Sequence, residues 1–417
     1  MTITELNTDL LTPLAAYLRL RENARASFLL ESVDQGRLGR YSLVGCGDRI
    51  VSFEEAEQLG VPVVGYLGYD HIAKLERTVP LPADGPDVPE SQFIVADVFL
   101  RFDHVTGTAE VFAGDPATVV QLLGESAKAD ERAVTAGETI RFPEQAEHER
   151  RVEVAKEHIR RGDIFQVVLS QRAVRETNVS ALAVYRALRR INPSPYLFLL
   201  ELDGMALVGS SPETHVKAEG SRASLNPIAG TTARGDGDAE RLLTSEKDRA
   251  EHVMLVDLGR NDLSRVCVPG TVKVERFLEP ERFSHVTHLV SEVAGELAEG
   301  VTPFDLLRAT FPAGTVSGAP KIRAMQIISE LEGYRRGTYA GVVGYHLPGV
   351  ALDTCIAIRT VRLQDGRAYL QAGGGIVADS NPTDEHEECL NKLAALEAAI
   401  EVAEGVGSTE PSAGNGQ

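Results

Sequence analysis

The sequence predicts an α/β (α+β) protein of two lobes, with antiparallel sheets flanked by helices. Three observations point there. The chain has 417 residues, more than one hydrophobic core usually serves. Short apolar runs bounded by Gly, Pro and polar residues recur through the first and last thirds, as buried or half-buried strands do. Two charged stretches with helical spacing, 247–262 and 384–404, stand apart from those runs.

Residues 27–32 (SFLLES) and 41–45 (YSLVG) read as buried strands, and 61–70 (VPVVGYLGYD) continues the style. The Pro-rich segment 79–90 reads as a loop. Residues 93–102 and 109–112 form a hairpin around 103–107, and a domain boundary is expected near Pro143. Beyond it, Val152, Ala155 and Ile159 share a helix face that ends near Gly162. Residues 164–169 (IFQVVL) form a buried strand with Gln166 planted in it, and a polar side chain there must find a partner or face a cavity. Strands 196–202 and 205–209 flank an Asp203-Gly204 turn, and Glu213 follows at a strand end. The last third reads as antiparallel pairs: 340–347 with 351–363, then 360–363 with 368–371. Residues 372–376 (AGGGI) follow, where glycines let backbone N–H groups approach a carboxylate. A closing helix covers 384–404, and the polar tail 406–417 is expected to be disordered.

Composition narrows the function. With 43% apolar and 25% charged residues this is an ordinary soluble composition, and a net charge of −19 argues against nucleic-acid or anionic-membrane partners. An anionic substrate would need a bound cation or local donors to enter. No membrane-length apolar run occurs, and the N-terminus lacks the basic start and apolar segment of a secretory signal. Cys46, Cys267, Cys355 and Cys389 are too widely spaced for a metal motif or a disulfide framework. A cytoplasmic location is expected.

Two acidic pairs carry the first chemical signal. Asp248 and Glu251 lie one helical turn apart, as do Glu385 and Glu388. Two helices each aiming a carboxylate pair suit a hard divalent cation such as Mg²⁺, which takes oxygen ligands and keeps several waters. Taken singly, each pair is an ordinary solvated helix face. Neither a dinucleotide fingerprint nor a phosphate loop is present.

Nine motifs occur in order: GDIFQVVLSQR, GSSPE, PIAGTTARG, EKDRAEHVMLVDLGRNDLSRV, FSHVTHLVS, FPAGTVSGAPK, AIRT, AGGGIVADS and EECLNK. Together they resemble the chorismate-utilising enzymes, most closely the anthranilate synthase component I group, over about residues 146–404. The resemblance implies a large two-lobed chorismate-binding fold with its active site in a cleft. Residues 1–142 would be an N-terminal regulatory lobe and 143–405 the catalytic domain.

The resemblance also implies roles. Glu251 and Glu388 would hold Mg²⁺, with Glu385 and Asp248 behind them; the family usually has Glu at the position of Asp248. Thr315, Tyr339, Arg359, Lys392 and the backbone of Gly373, Gly374 and Gly375 would hold the substrate, beside Ala229, Gly230 and Thr231 of PIAGT. Glu213 matches the general acid that protonates a departing ring hydroxyl. His288 matches the residue of the later pyruvate elimination, with His285 its neighbouring rival. Where water is the nucleophile the family places Lys at the position of Gln166. Gln is no base and ammonia needs none, so an aminating enzyme is implied. Aminodeoxychorismate synthases resemble PIKGT, with a nucleophilic Lys; Ala229 can form no such intermediate. TTARG departs from the commoner TRPRG, and nothing in the sequence explains it. Anthranilate formation is thus expected, with 2-amino-2-deoxyisochorismate or aminodeoxychorismate synthesis as alternatives and a non-catalytic binding protein of this fold as the remote one. No cysteine sits in a glutaminase setting, so a separate glutamine amidotransferase subunit is the implied ammonia source. Leu30, Glu31 and Ser32 with Asn192, Pro193, Ser194, Pro195 and Tyr196 resemble the two segments of the tryptophan feedback site.

Overall fold

The computed structural model describes residues 4–8, 10–34, 37–124, 134–282 and 286–405. His285 and the tail 406–417 lie outside them. Two antiparallel sheets carry the chain. The first, of twelve strands, runs from Thr4–Asn7 through Thr108–Ala113, Val98–Asp103, Arg37–Gly47 and Ala26–Asp34. It continues into Tyr196–Leu202, Met205–Ser211, Thr360–Gln364, Arg367–Ile376, Gln166–Thr177 and Gly318–Ala319, and Ala136–Phe142 also pairs with Gln166–Thr177. The second, of ten strands, is ordered Ile228–Ala233, Val286–Glu296, Arg222–Leu225, Thr214–Glu219, Ala351–Ile356, Val342–Leu347, Val63–Leu67, Ser91–Val95 and Arg49–Val51. Lys273–Arg282 pairs beside Val286–Glu296.

The sheets pack face to face over a shared apolar layer. Phe28, Phe99, Phe198 and Leu207 come from the first, and Tyr66, Ile94, Val343 and Cys355 from the second. Helices cover the outer faces. The helix Pro382–Glu404, capped by Asn381 with Pro382 in its first turn, buries Leu393, Leu396 and Ile400 with Leu182, Tyr185 and Leu188 of the helix Ala181–Ile191. The helix Glu246–Ser264 starts at Ser245, whose hydroxyl accepts from Asp248 N, and buries Val256 and Leu263 against the second sheet.

Several expected strands prove to be two. The run 93–102 divides into Ser91–Val95 in the second sheet and Val98–Asp103 in the first. The run 351–363 likewise divides into Ala351–Ile356 and Thr360–Gln364, on opposite sheets. Exposed Asp97 marks the first step and Arg359 the second, but one polar residue in an apolar run reads equally as the solvent-facing position of a single strand. Only Val63–Leu67 of the stretch 61–70 is strand; a 3-10 turn takes Tyr69–His71. The boundary expected near Pro143 falls between the strand Ala136–Phe142 and the helix Gln145–Arg160. Strands from both sides of it share both sheets.

Candidate active site

The cavity lies where the sheets exchange strands. Met205–Ser211 leaves the first sheet, Pro212 and Glu213 cross, and Thr214–Glu219 joins the second. Beside it, Ala351–Ile356 leaves the second sheet and reaches Thr360–Gln364 in the first through Ala357, Ile358 and Arg359. The two crossings hold each other: Ile356 N donates to Glu213 O and Ser210 N to Arg359 O, both at 3.0 Å. Arg359 takes a φ of 51°, a left-handed conformation that costs a non-glycine residue about 1 kcal/mol. That cost turns its side chain into the gap between the parting sheets, a cavity of about 700 Å³.

Gln166, Glu213, His288, Lys392, Thr315, Tyr339, Arg359, Gly373, Gly375, Ala229, Gly230, Asp248, Glu251 and Glu388 all line this cavity. Residues up to 226 apart in sequence thus converge. Gly374 points the other way, toward Glu385: a Cβ on it would meet Glu385 Oε2 at 2.9 Å. Glu385 does not line the cavity, and Thr231 contributes its backbone pairing with His288. Lys247, one turn before Glu251, also lines the cavity, though its i,i+4 spacing from Glu251 reads in sequence as an ordinary ion pair.

Glu213 is enclosed. Burial pushes its carboxyl up to about 7, and the Thr315 hydroxyl and Lys392 only partly oppose this. A carboxyl so placed is half protonated near neutrality and suited to donate. His288 Nδ1 lies 3.3 Å from Gly230 O. Burial holds its imidazole below the usual range, so it is neutral at pH 7. Gly230 sits at a φ of 76°, at the bulge between Ala229 and Thr231.

Two further glycines act by being small. A Cβ at Gly373 would lie 2.7 Å from Leu169 O and 2.8 Å from the Tyr339 hydroxyl, and one at Gly375 would lie 2.2 Å from Gln166 Nε2. The strand therefore passes close to both side chains. Lys392 Nζ donates to Gly373 O at 2.7 Å and pairs with Glu388 at 2.6 Å. Arg359 NH1 donates to Lys392 O at 3.3 Å. Two cations, Arg359 and Lys392, thus gather on one wall beside the backbone of Gly373.

The acids gather on another. Gln166 Nε2 donates to Glu251 Oε1 at 3.2 Å. Burial raises Glu251, and Asp248 and Glu388 raise it further. Glu385 is raised by burial and by Glu388, and its Oε2 is buried without a partner. Carboxylates that destabilise one another's charge, one with an orphaned oxygen, have the chemistry of a cation site. Among the described residues no three His, Cys, Asp or Glu side chains close a metal polyhedron by themselves. Glu251 and Glu388 in the cavity, with the orphaned oxygen of Glu385 behind them, are oxygen donors of the kind a hard divalent cation takes alongside water.

Of the two segments expected to bind an effector, Asn192, Pro193, Ser194 and Pro195 line this same cavity, with Val33. Val33 N donates to Ser194 O at 3.1 Å, tying the segments together. Leu30, Glu31, Ser32 and Tyr196 do not line it. Glu31 is buried against Tyr185 (2.5 Å) and Arg189 (3.4 Å). The Tyr196 hydroxyl reaches Thr214 and Asp353, each at 2.9 Å.

Comparison with known proteins fits this geometry. Residues 7–398 match the family model described as chorismate binding enzyme. Anthranilate synthase component 1 of Thermus thermophilus is 42% identical, over 95% of this chain and 96% of its own. The protein of that name from Acetivibrio thermocellus is 41% identical, over 96% and 94%. The crystal structure of anthranilate synthase component I from Streptococcus pneumoniae superposes with a TM-score of 0.77 at 34% identity, covering 94% of this chain and 98% of that one. A menaquinone-specific isochorismate synthase from Escherichia coli shares the fold, with a TM-score of 0.76 at 21% identity. The chain belongs to the family of chorismate-binding enzymes, and within it stands with the anthranilate synthase component 1 proteins.

Proposed function

We propose that the cavity converts chorismate and ammonia to anthranilate, pyruvate and water. The observation that carries this reading is Glu213, an enclosed acid poised near neutrality, facing a cavity whose Lys-for-water position is Gln166. Arg359, Lys392 and the Gly373–Gly375 backbone hold the substrate carboxylates, with Tyr339 and Thr315 against the ring. Mg²⁺ at Glu251 and Glu388, when bound, would neutralise a substrate carboxylate inside an acidic protein. Glu213 donates its proton to the ring hydroxyl, which leaves as water. Ammonia adds at the ring carbon between those bearing the carboxylate and the enolpyruvyl ether, both ring double bonds shifting toward the carbon that loses the hydroxyl. His288, neutral and beside Gly230, assists loss of the aminated carbon's proton as the enolpyruvyl C–O bond breaks and the ring becomes aromatic.

Ammonia comes from a separate glutamine amidotransferase subunit, and the chain works in the cytoplasm. No helix among the described residues is long and apolar enough to cross a membrane. Tryptophan binds at the segments of Ser32 and Asn192–Pro195, which the Val33 N–Ser194 O bond ties together, and inhibits. The deciding experiment incubates the purified chain with chorismate, Mg²⁺ and ammonium and reads fluorescence and mass. Anthranilate plus pyruvate is expected. A non-aromatic aminated product without pyruvate would overturn the reading in favour of an aminodeoxychorismate or aminodeoxyisochorismate synthase.

A further inference from the structure

Beyond Tyr339 and Gln371, which wall the substrate cavity on one side, a second opening follows the same face of the strand Arg367–Ile376. It has a part of about 210 Å³ and a narrower part of about 50 Å³, both lined by Arg172, Tyr334 and Gln371. Arg172 faces both parts and Arg362 the narrower one. Neither guanidinium pairs with a carboxylate among the described residues. The acid in this wall, Glu332, is taken: Arg336 donates to its two oxygens at 2.7 and 2.9 Å, and Ser170 N and Oγ donate to one of them.

The two cations are held ready rather than satisfied. The Arg172 guanidinium carbon lies 3.4 Å from the Tyr334 ring centroid and 5.3 Å from that of Phe142, so aromatic rings and the Tyr334 hydroxyl, not a carboxylate, surround the charge. Arg362, only 7% exposed, lies 3.9 Å over Tyr369 and donates to the neutral Gln364 side chain. Burial lowers both guanidinium groups, and the Tyr334 hydroxyl acts on both in the opposite sense. Burying a charge without a counter-charge is costly, and this chain carries an excess of 19 negative charges from which to supply one.

We propose that this second cavity binds a small oxyanion, a carboxylate or phosphate group, on the in-plane edges of Arg172 and Arg362 beside the Tyr334 hydroxyl. The part of about 210 Å³ beside Arg172 is of a size to admit pyruvate or inorganic phosphate, with Arg362 reached through the narrower part. The site needs no turnover and stands apart from the reaction.

The test titrates the full chain with sodium pyruvate and, separately, sodium phosphate, at ionic strength held constant with chloride. The chain has no tryptophan, so Tyr334 and Tyr369 report through tyrosine fluorescence, with the thermal midpoint as a second readout. A saturable response to one anion or both is expected, and their relative strength tells a carboxylate ligand from a phosphate one. Arg172→Gln and Arg362→Gln should each weaken binding about tenfold or more, while Lys392→Met, in the substrate cavity, leaves it unchanged. Should the Gln variants fail to fold, Arg172→Lys, which keeps the charge without the fork, must still weaken binding severalfold. Absence of a saturable response, a response that survives the double Arg-to-Gln exchange, or one that disappears in Lys392→Met overturns the proposal.

Discussion

Replacing Glu213 with Gln separates catalysis from stability in one residue. Holding the carboxyl near 7 instead of 4.5 corresponds to about 3 kcal/mol in favour of its protonated form. In the unfolded chain the group ionises freely. Between those two values the folded state therefore binds more protons, and stability falls as pH rises. The loss begins near 4.5, is complete above 7, and does not arise with Gln. At pH 8.5 Glu213→Gln should thus unfold at a higher temperature than the parent. At about 2.1 cal/mol/K of unfolding entropy per residue, 417 residues turn about 3 kcal/mol into about 3 °C. At pH 4 the two midpoints should coincide. The same exchange removes the proton donor, so kcat should drop about 10²- to 10⁴-fold. For the parent, kcat/KM for chorismate at fixed free ammonia should fall along an alkaline limb centred near 7, and residual Gln activity should lack that limb. A variant that is less stable at pH 8.5, or that keeps the limb, would refute the enclosed acid as the proton source.

His288→Asn should leave amination largely intact but accumulate a non-aromatic amino product without stoichiometric pyruvate, read by mass; full anthranilate yield would remove His288 from the second step. Glu388→Gln should weaken Mg²⁺ binding about tenfold or more by calorimetry and free Lys392 from its ion pair; unchanged affinity would place the cation elsewhere. Gly373→Ala forces a Cβ against Leu169 O, at a cost of about 1–3 kcal/mol, and should raise KM for chorismate more than it lowers kcat. Ser32→Ala should relieve tryptophan inhibition severalfold with kcat unchanged; an unaltered inhibition curve would dismiss that effector site.

Much of the site was legible because its chemistry sits in short runs whose residue types have few other uses. Glu213 at a strand end, the glycines of 373–375 and the acids one turn apart on two helices could be named before they were seen to converge. Convergence itself was not legible. Pro212-Glu213 and Arg359-Thr360 interrupt the apolar runs, but such residues read equally as a turn within one sheet, so the change of sheet is not announced. The helix Lys321–Glu332 was missed for a different reason. Its pattern is in fact helical, with Ala324, Met325, Ile327, Ile328 and Leu331 on the buried face and Arg323, Gln326 and Glu330 opposite, but the run follows directly on the motif FPAGTVSGAPK and reads as its continuation. Lys247, four residues before Glu251, reads as half of an ordinary helix-face ion pair and gives no sign in sequence of lining a cavity.

The strand exchange between sheets also bears on how this chain can be handled. The first 142 residues supply the neighbour of Tyr196–Leu202 in one sheet, Ala26–Asp34, and the neighbour of Val342–Leu347 in the other, Val63–Leu67. Cutting them away would not release a smaller working enzyme. It would bare two apolar backbone edges at once, YLFLLEL and VVGYHL, each a template for intermolecular strand addition. A truncated chain beginning near Pro143 is therefore expected in inclusion bodies, whereas the same two pieces co-expressed have matching edges through which to reassemble.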